Sequence, residues 1–156
     1  MYWVGNMLKV LLGYGAAVLA TYAVGVLLIS QANLSNVVAM GATVDASIRL
    51  EVVWHDLLHM YEIYLPLVAV SFVIALPVAA LVIRWQPNLR LVGYVLAGFF
   101  GLVAIHVIMK AVLGLSGVAP TRTIMGLLAQ GFAGAVGGYL FHCITRLSRA
   151  SNKLDA

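Results

Sequence analysis

Leu8 to Ile29 reads LKVLLGYGAAVLATYAVGVLLI, a run whose only charge is Lys9. Three more such runs follow, from about Leu65 to Ile83, Leu91 to Leu113 and Thr123 to Leu147. A bilayer-spanning helix needs ~20 predominantly apolar residues. In lipid every backbone polar group must be satisfied inside the protein, which leaves helices as the simplest solution. Four such runs therefore predict an all-α integral membrane protein: a four-transmembrane-helix antiparallel bundle with spans at 8–29, 65–83, 91–113 and 123–147. Composition agrees. Of 156 residues, 63% are hydrophobic and 9% charged, against roughly 25% charged in soluble domains. A single membrane domain, 1–156, is expected. The first run is long for a signal-peptide core and lacks a small-x-small cleavage site, so it reads as a retained first span.

The stretch between the first two spans, 30–64, has a different character. Ser30 to Thr43 is polar, and Gly41 permits a turn. Thr43 is the expected N-cap of a helix from Val44 to Tyr61. Leu50, Val53, Leu57 and Tyr61 give that helix one apolar stripe, and Asp45 and Arg49 stand four apart, where they can pair. Such an amphipathic helix belongs at the membrane surface, over the mouth of the bundle. Pro77, inside the second span, predicts a kink that serves as a packing bend or a hinge. The 148–156 tail is polar.

Lysine and arginine orient the bundle. With both termini cytoplasmic, Lys9, Arg84, Arg90, Arg146, Arg149 and Lys153 lie inside and Arg49, Lys110 and Arg122 outside, six against three. That is the direction of the positive-inside rule, and it predicts an N-in, C-in protein of a bacterial-type inner (plasma) membrane. The net charge of +4 anchors helix ends, and no basic stripe with interleaved aromatics points to nucleic acid. Cys143 is the only cysteine, so it forms no intrachain disulfide and reads as a packing residue.

Four of the five carboxylates, Asp45, Glu51, Asp56 and Glu62, crowd into the 45–64 stretch with His55 and His59. On a helix Glu51, His55, His59 and Glu62 share an arc of ~80°. Histidines at i, i+4 can chelate one ion, and imidazole with carboxylate suits zinc, copper or iron. His55 to His59 also echoes the HExxH zinc motif, with Asp56 in the glutamate's place. The shorter carboxylate reaches less far toward a metal-bound water, so a protease is not expected. The competing reading is a solvated polar face with Glu51–His55 and His59–Glu62 pairs.

His106, Lys110 and Gln130 are the polar positions within the later spans. Ionisable groups there are costly and face the bundle interior or water. Lys110 is placed to snorkel and to meet Glu62, directly or through a bridging water, with His106 beneath, which makes His106 a further candidate metal ligand. Haem is not expected between His106 and His142. His106 is ~24 Å along the axis from Arg90 and His142 ~6 Å from Arg146, so the imidazoles of antiparallel helices differ in depth by roughly 18 Å. A haem joining His106 to His55 or His59 is the remaining alternative. Gln130 reads as an interhelical hydrogen-bonding residue.

Small residues form ridges, Gly93/Ala97/Gly101 in the third span and Gly134/Gly138 in the fourth. Such ridges let helices approach closely. Their number suggests that some face a second copy or another membrane subunit. The leading expectation is a non-enzymatic scaffold, accessory or assembly subunit that acts through helix packing. The alternatives are a divalent-transition-metal protein using His55, His59 and Glu62, and a small channel or transporter using Pro77, His106, Lys110 and Gln130.

Overall fold

A computed structural model describes residues 2–114 and 118–154, with side chains described over 7–112, 114 and 118–146. Every described element is helical: α1 (Tyr2–Ala39), α2 (Ala46–His59), α3 (Tyr61–Trp85), α4 (Arg90–Leu113) and α5 (Ile124–Leu154), with 3-10 turns at Pro87–Leu89 and Ala119–Arg122. Four helices are long and apolar enough to cross a membrane, over Met7–Ala39, Tyr61–Trp85, Pro87–Val112 and Ile124–Arg146.

The first span does not stop at Ile29. α1 continues to Ala39, through the segment read as a polar loop. Nothing there breaks a helix, since no glycine or proline occurs between Ser30 and Met40. Ser35 bonds back to its own helix instead, its Oγ donating to Gln31 O at 2.8 Å. Leu34 is buried. The stop comes at Gly41, whose φ of +95° is left-handed. The Gly41 amide donates to Val38 O at 2.9 Å and the Ala42 amide to Val37 O at 3.4 Å, the paired bonds of a Schellman end.

α2 starts at Ala46, capped by Asp45 rather than Thr43. The Asp45 carboxylate accepts from the Ile48 amide at 2.9 Å and from Ser47 Oγ at 2.8 Å. With Asp45 so engaged, Arg49 donates to Gln31 Oε1 at 2.8 Å, and the expected Asp45–Arg49 pair does not form. α2 ends at His59, and one residue, Met60, separates it from α3. α3 runs unbroken through Pro66 and Pro77.

α5 is the central helix, packed most extensively against α4 and α1, while α3 lies on α4 and more lightly on α1. Glycine makes this closeness work. A Cβ on Gly98 or Gly134 would strike the other's backbone, and one on Gly138 would strike the Tyr94 carbonyl.

The ridge expected on α4, Gly93/Ala97/Gly101, is therefore not the one that meets Gly134 and Gly138. Gly101 meets Ala75 and Ser71 of α3, and Gly93 meets the Ile83 side chain. Ala97, the middle of that ridge, is half-buried and packs against the core. Its neighbour Gly98 takes the closest approach to α5 instead. One residue is a 100° step around a helix, so Gly98 presents to α5 a different side of α4 from the one the spacing singles out. Both small-residue ridges are thus occupied inside the subunit.

The buried centre comprises Ala17, Val26, Ile29, Val68, Phe72, Leu102 and Ala133. The outward faces are equally apolar, with Leu19, Ile74, Phe100 and Phe132 exposed. In a hydrocarbon solvent such faces would have no reason to be buried, and association would rest on close packing and interhelical hydrogen bonds.

Candidate functional site

The densest set of buried polar groups joins three helices. Tyr64 of α3 and Gln130 of α5 are both fully buried. The Tyr64 hydroxyl donates to Gln130 Oε1, and Gln130 Nε2 donates to the Gly25 carbonyl of α1 at 3.4 Å. Position 25 has to be glycine for this arrangement, because a Cβ there would occupy the space of the Tyr64 hydroxyl. One amide side chain thereby supplies an acceptor to one neighbour and a donor to another, as expected of Gln130.

His106 brings α4 to the same place. Its ring lies 6.4 Å from that of Tyr64, centroid to centroid. Nδ1 sits 2.8 Å from the Leu102 carbonyl. A carbonyl only accepts, so Nδ1 carries the proton and Nε2 of the neutral ring is left as an acceptor. That nitrogen has no partner among the described residues, although His106 is only 3% exposed. Thr21 Oγ1 and Ser71 Oγ are likewise buried without a partner among the described residues. Buried polar atoms are seldom left so.

From this centre a polar path leads to α2. The Tyr22 ring is 5.9 Å from that of Tyr64, and its hydroxyl donates to the Leu57 carbonyl at 2.7 Å. Ser30 Oγ lies 2.6 Å from Asp56 Oδ2, and the carboxylate is the stronger acceptor for its one proton. With the Arg49–Gln31 bond, these contacts fasten α2 to the end of α1. A cleft of about 190 Å³ opens beside them, with His59 and Glu62 among its lining residues and Tyr64 and Met109 deeper in the chain's spans.

The candidate metal ligands are dispersed. His55 and His59 stack, with centroids 4.0 Å apart and planes within 15°. Imidazole lone pairs lie in the ring plane, so parallel stacked rings do not converge on one ion. His59 Nδ1 is also held by the His55 carbonyl at 2.7 Å. His55 approaches Asp56 at 3.6 Å. Glu51 and Glu62 are exposed, and His106 lies on another helix. Among the described residues no three His, Cys, Asp or Glu side chains are grouped to hold a metal. Glu62 and Lys110 make no direct ion pair. Glu62 sits in the first turn of α3 with the Tyr61 hydroxyl 3.5 Å away, and Lys110 is in the last turn of α4. Each charge already complements its own helix terminus.

Tyr64, Tyr22, Ser30 and Gly25 are not legible in the sequence as site residues. Aromatic residues at span ends usually mark the interface, and Tyr64 has that position. The usable signal is the clustering of Thr21, Gly25 and Ser30 in the C-terminal part of the first apolar run. Outside the spans, hydrogen bonds from the Ile48 amide and from Ser47 hold the Asp45 carboxyl below the usual carboxylate range. Comparison with protein-family models, curated proteins and solved structures gives no match.

Proposed function

We propose that this chain is a single-domain accessory or assembly subunit of a bacterial-type inner membrane, non-enzymatic, whose partner-facing surface is α2. Its four spans form an antiparallel bundle with both termini cytoplasmic, and α2 rests on the outer face. The short Gln86–Leu89 link supports opposite directions for α3 and α4, and the excess of inner cations supports the orientation.

The observation that carries the partner reading is the exposed side of α2. Leu50, Trp54 and Leu58, at i, i+4 and i+8, are 73%, 63% and 51% exposed. They form one stripe on a helix whose opposite side carries Asp56 and Arg49, both bonded to α1. Beside it runs the exposed polar row Glu51, His55, His59. A rigidly mounted apolar stripe with a charged border has the anatomy of a helix-docking face. The small-residue ridges do not enter this reading, because the subunit's own helices fill them.

The test is a photo-crosslinking residue at position 54, with position 81 on the outward face of α3 as control. In native membranes position 54 should give one protein adduct of fixed mass, a second copy of the chain or another membrane subunit. Position 81 should give lipid adducts. Lipid adducts alone at both positions would contradict the proposal.

A second reading, a small transporter or channel, has one observation in its favour: the free acceptor on His106, close to Tyr64 and its cleft. Proteoliposomes carrying wild-type protein should then pass protons or small cations faster than empty vesicles, and His106→Asn should abolish the difference. Wild-type flux equal to that of empty vesicles removes this reading.

A further inference from the structure

The end of the bundle away from α2 carries a second feature. A groove of about 430 Å³ separates α1 from α3. Val10 and Leu11 form one wall, Val73, Pro77 and Ala80 the other. These five residues are exposed, so the groove opens sideways from the bundle. Tyr14 closes its upper end, its hydroxyl donating across to the Ala69 carbonyl at 2.8 Å. Because that hydroxyl is engaged, the groove offers an occupant almost purely apolar contact.

Cations gather where the groove meets the inner end. On α3, Val73, Pro77, Ala80 and Arg84 follow one another at helical spacing along one face, so Arg84 continues the groove wall by one more turn. The Arg90 guanidinium lies 5.7 Å over the ring of Tyr94, another lining residue, and donates to Thr145 Oγ1 at 2.9 Å. Lys9 adjoins Val10. Among the described residues all carboxylates lie between Asp45 and Glu62, at the opposite end. An apolar slot open to the bilayer, leading to cations without counter-charges among the described residues, is complementary to an anionic amphiphile.

We infer that this groove binds one anionic phospholipid, an acyl chain between α1 and α3 and the phosphate at Arg84 and Arg90. The site rests on the membrane-spanning reading and is independent of the partner proposed for α2. Basic residues near an anionic headgroup each contribute about 1 kcal/mol, which is about a fivefold change in preference.

The test places the protein in nanodiscs of equal phosphatidylglycerol and phosphatidylcholine and identifies retained lipid by native mass spectrometry. Both leaflets have the same composition, so a wrong orientation would leave this result untouched. Wild type should retain one phosphatidylglycerol in preference to phosphatidylcholine. Arg84→Gln should lower that preference about fivefold, and Arg84→Lys should keep it. Ala80→Phe and, from the other wall, Leu11→Trp should both expel the lipid. Equal retention of the two lipids by wild type would overturn the inference. So would retention of wild-type lipid by both groove-filling variants.

Discussion

Gln130 shows how much one side chain can organise when the solvent is hydrocarbon. Its oxygen takes the Tyr64 proton and its amide reaches the Gly25 carbonyl, so α1, α3 and α5 share one hydrogen-bonded point. Interhelical bonds of this kind contribute about 1 kcal/mol in membranes. Gln130→Leu should therefore lower unfolding free energy by about 1 kcal/mol, measured by reversible denaturation in mixed micelles. Tyr64→Phe should cost a similar amount. The double variant should cost clearly less than the sum, because both changes delete one bond; strict additivity would show that the bond contributes nothing. Gly134→Val should be more damaging. Its side chain has to displace the Gly98 backbone rather than a flexible neighbour, a loss of about 1–3 kcal/mol. Asp45 gives a pH signature. Hydrogen bonds depress its folded-state pKa, so its contribution to the start of α2 is complete above the unfolded value of ~3.9. That contribution is lost as pH falls through the lower folded value. The Ile48 amide should lose exchange protection there. Asp45→Asn, which still caps, should keep the helix start and remove that pH dependence; an unchanged profile would exclude Asp45 as its source.

At the scale of elements, α2 depends on α1 and not the reverse. α2 has no buried residue, and it is held by Tyr22, Ser30 and Gln31 from one side of α1. Tyr22→Phe with Ser30→Ala should release α2 while the spans stay folded, each lost bond costing about 1 kcal/mol. Hydrogen exchange should then accelerate over Ile48–Leu58 and stay slow over Val68–Leu76; equal acceleration in both would place α2 inside the bundle's cooperative unit. The existence of α2 is legible from Leu50, Val53 and Leu57, but its start is not. Thr43 and Asp45 are both acceptable caps in sequence, and only the reach of the Asp45 carboxylate to the Ile48 amide decides between them. The extension of α1 to Ala39 is hidden for a related reason. Ser30, Asn33, Ser35 and Asn36 resemble a loop by composition, yet they carry no stop signal before Gly41.

For the whole molecule, four apolar runs and two small-residue ridges announce a helical membrane protein, and the structure has four helices long and apolar enough to span. What the ridges touch cannot be read from spacing. Gly134 and Gly138 meet α4 through Gly98 and Tyr94, Gly101 meets α3, and Ala97 is half-buried against the core. Only the packed arrangement decides such partners. The same holds for Glu62 and Lys110, which the topology draws toward one end of the bundle and which form no direct ion pair. The arrangement makes the two ends of the bundle chemically opposite. Among the described residues every carboxylate lies between Asp45 and Glu62, at the α2 end, while Lys9, Arg84 and Arg90 adjoin the apolar groove at the other. The most direct test labels single cysteines, placed at Gly41 and Asn88 in a Cys143→Ser background, with a membrane-impermeant maleimide in intact cells. Labelling at position 41 but not at 88 until the cells are lysed is the predicted result. Labelling of both from the same side would contradict an antiparallel bundle with α2 on its outer face.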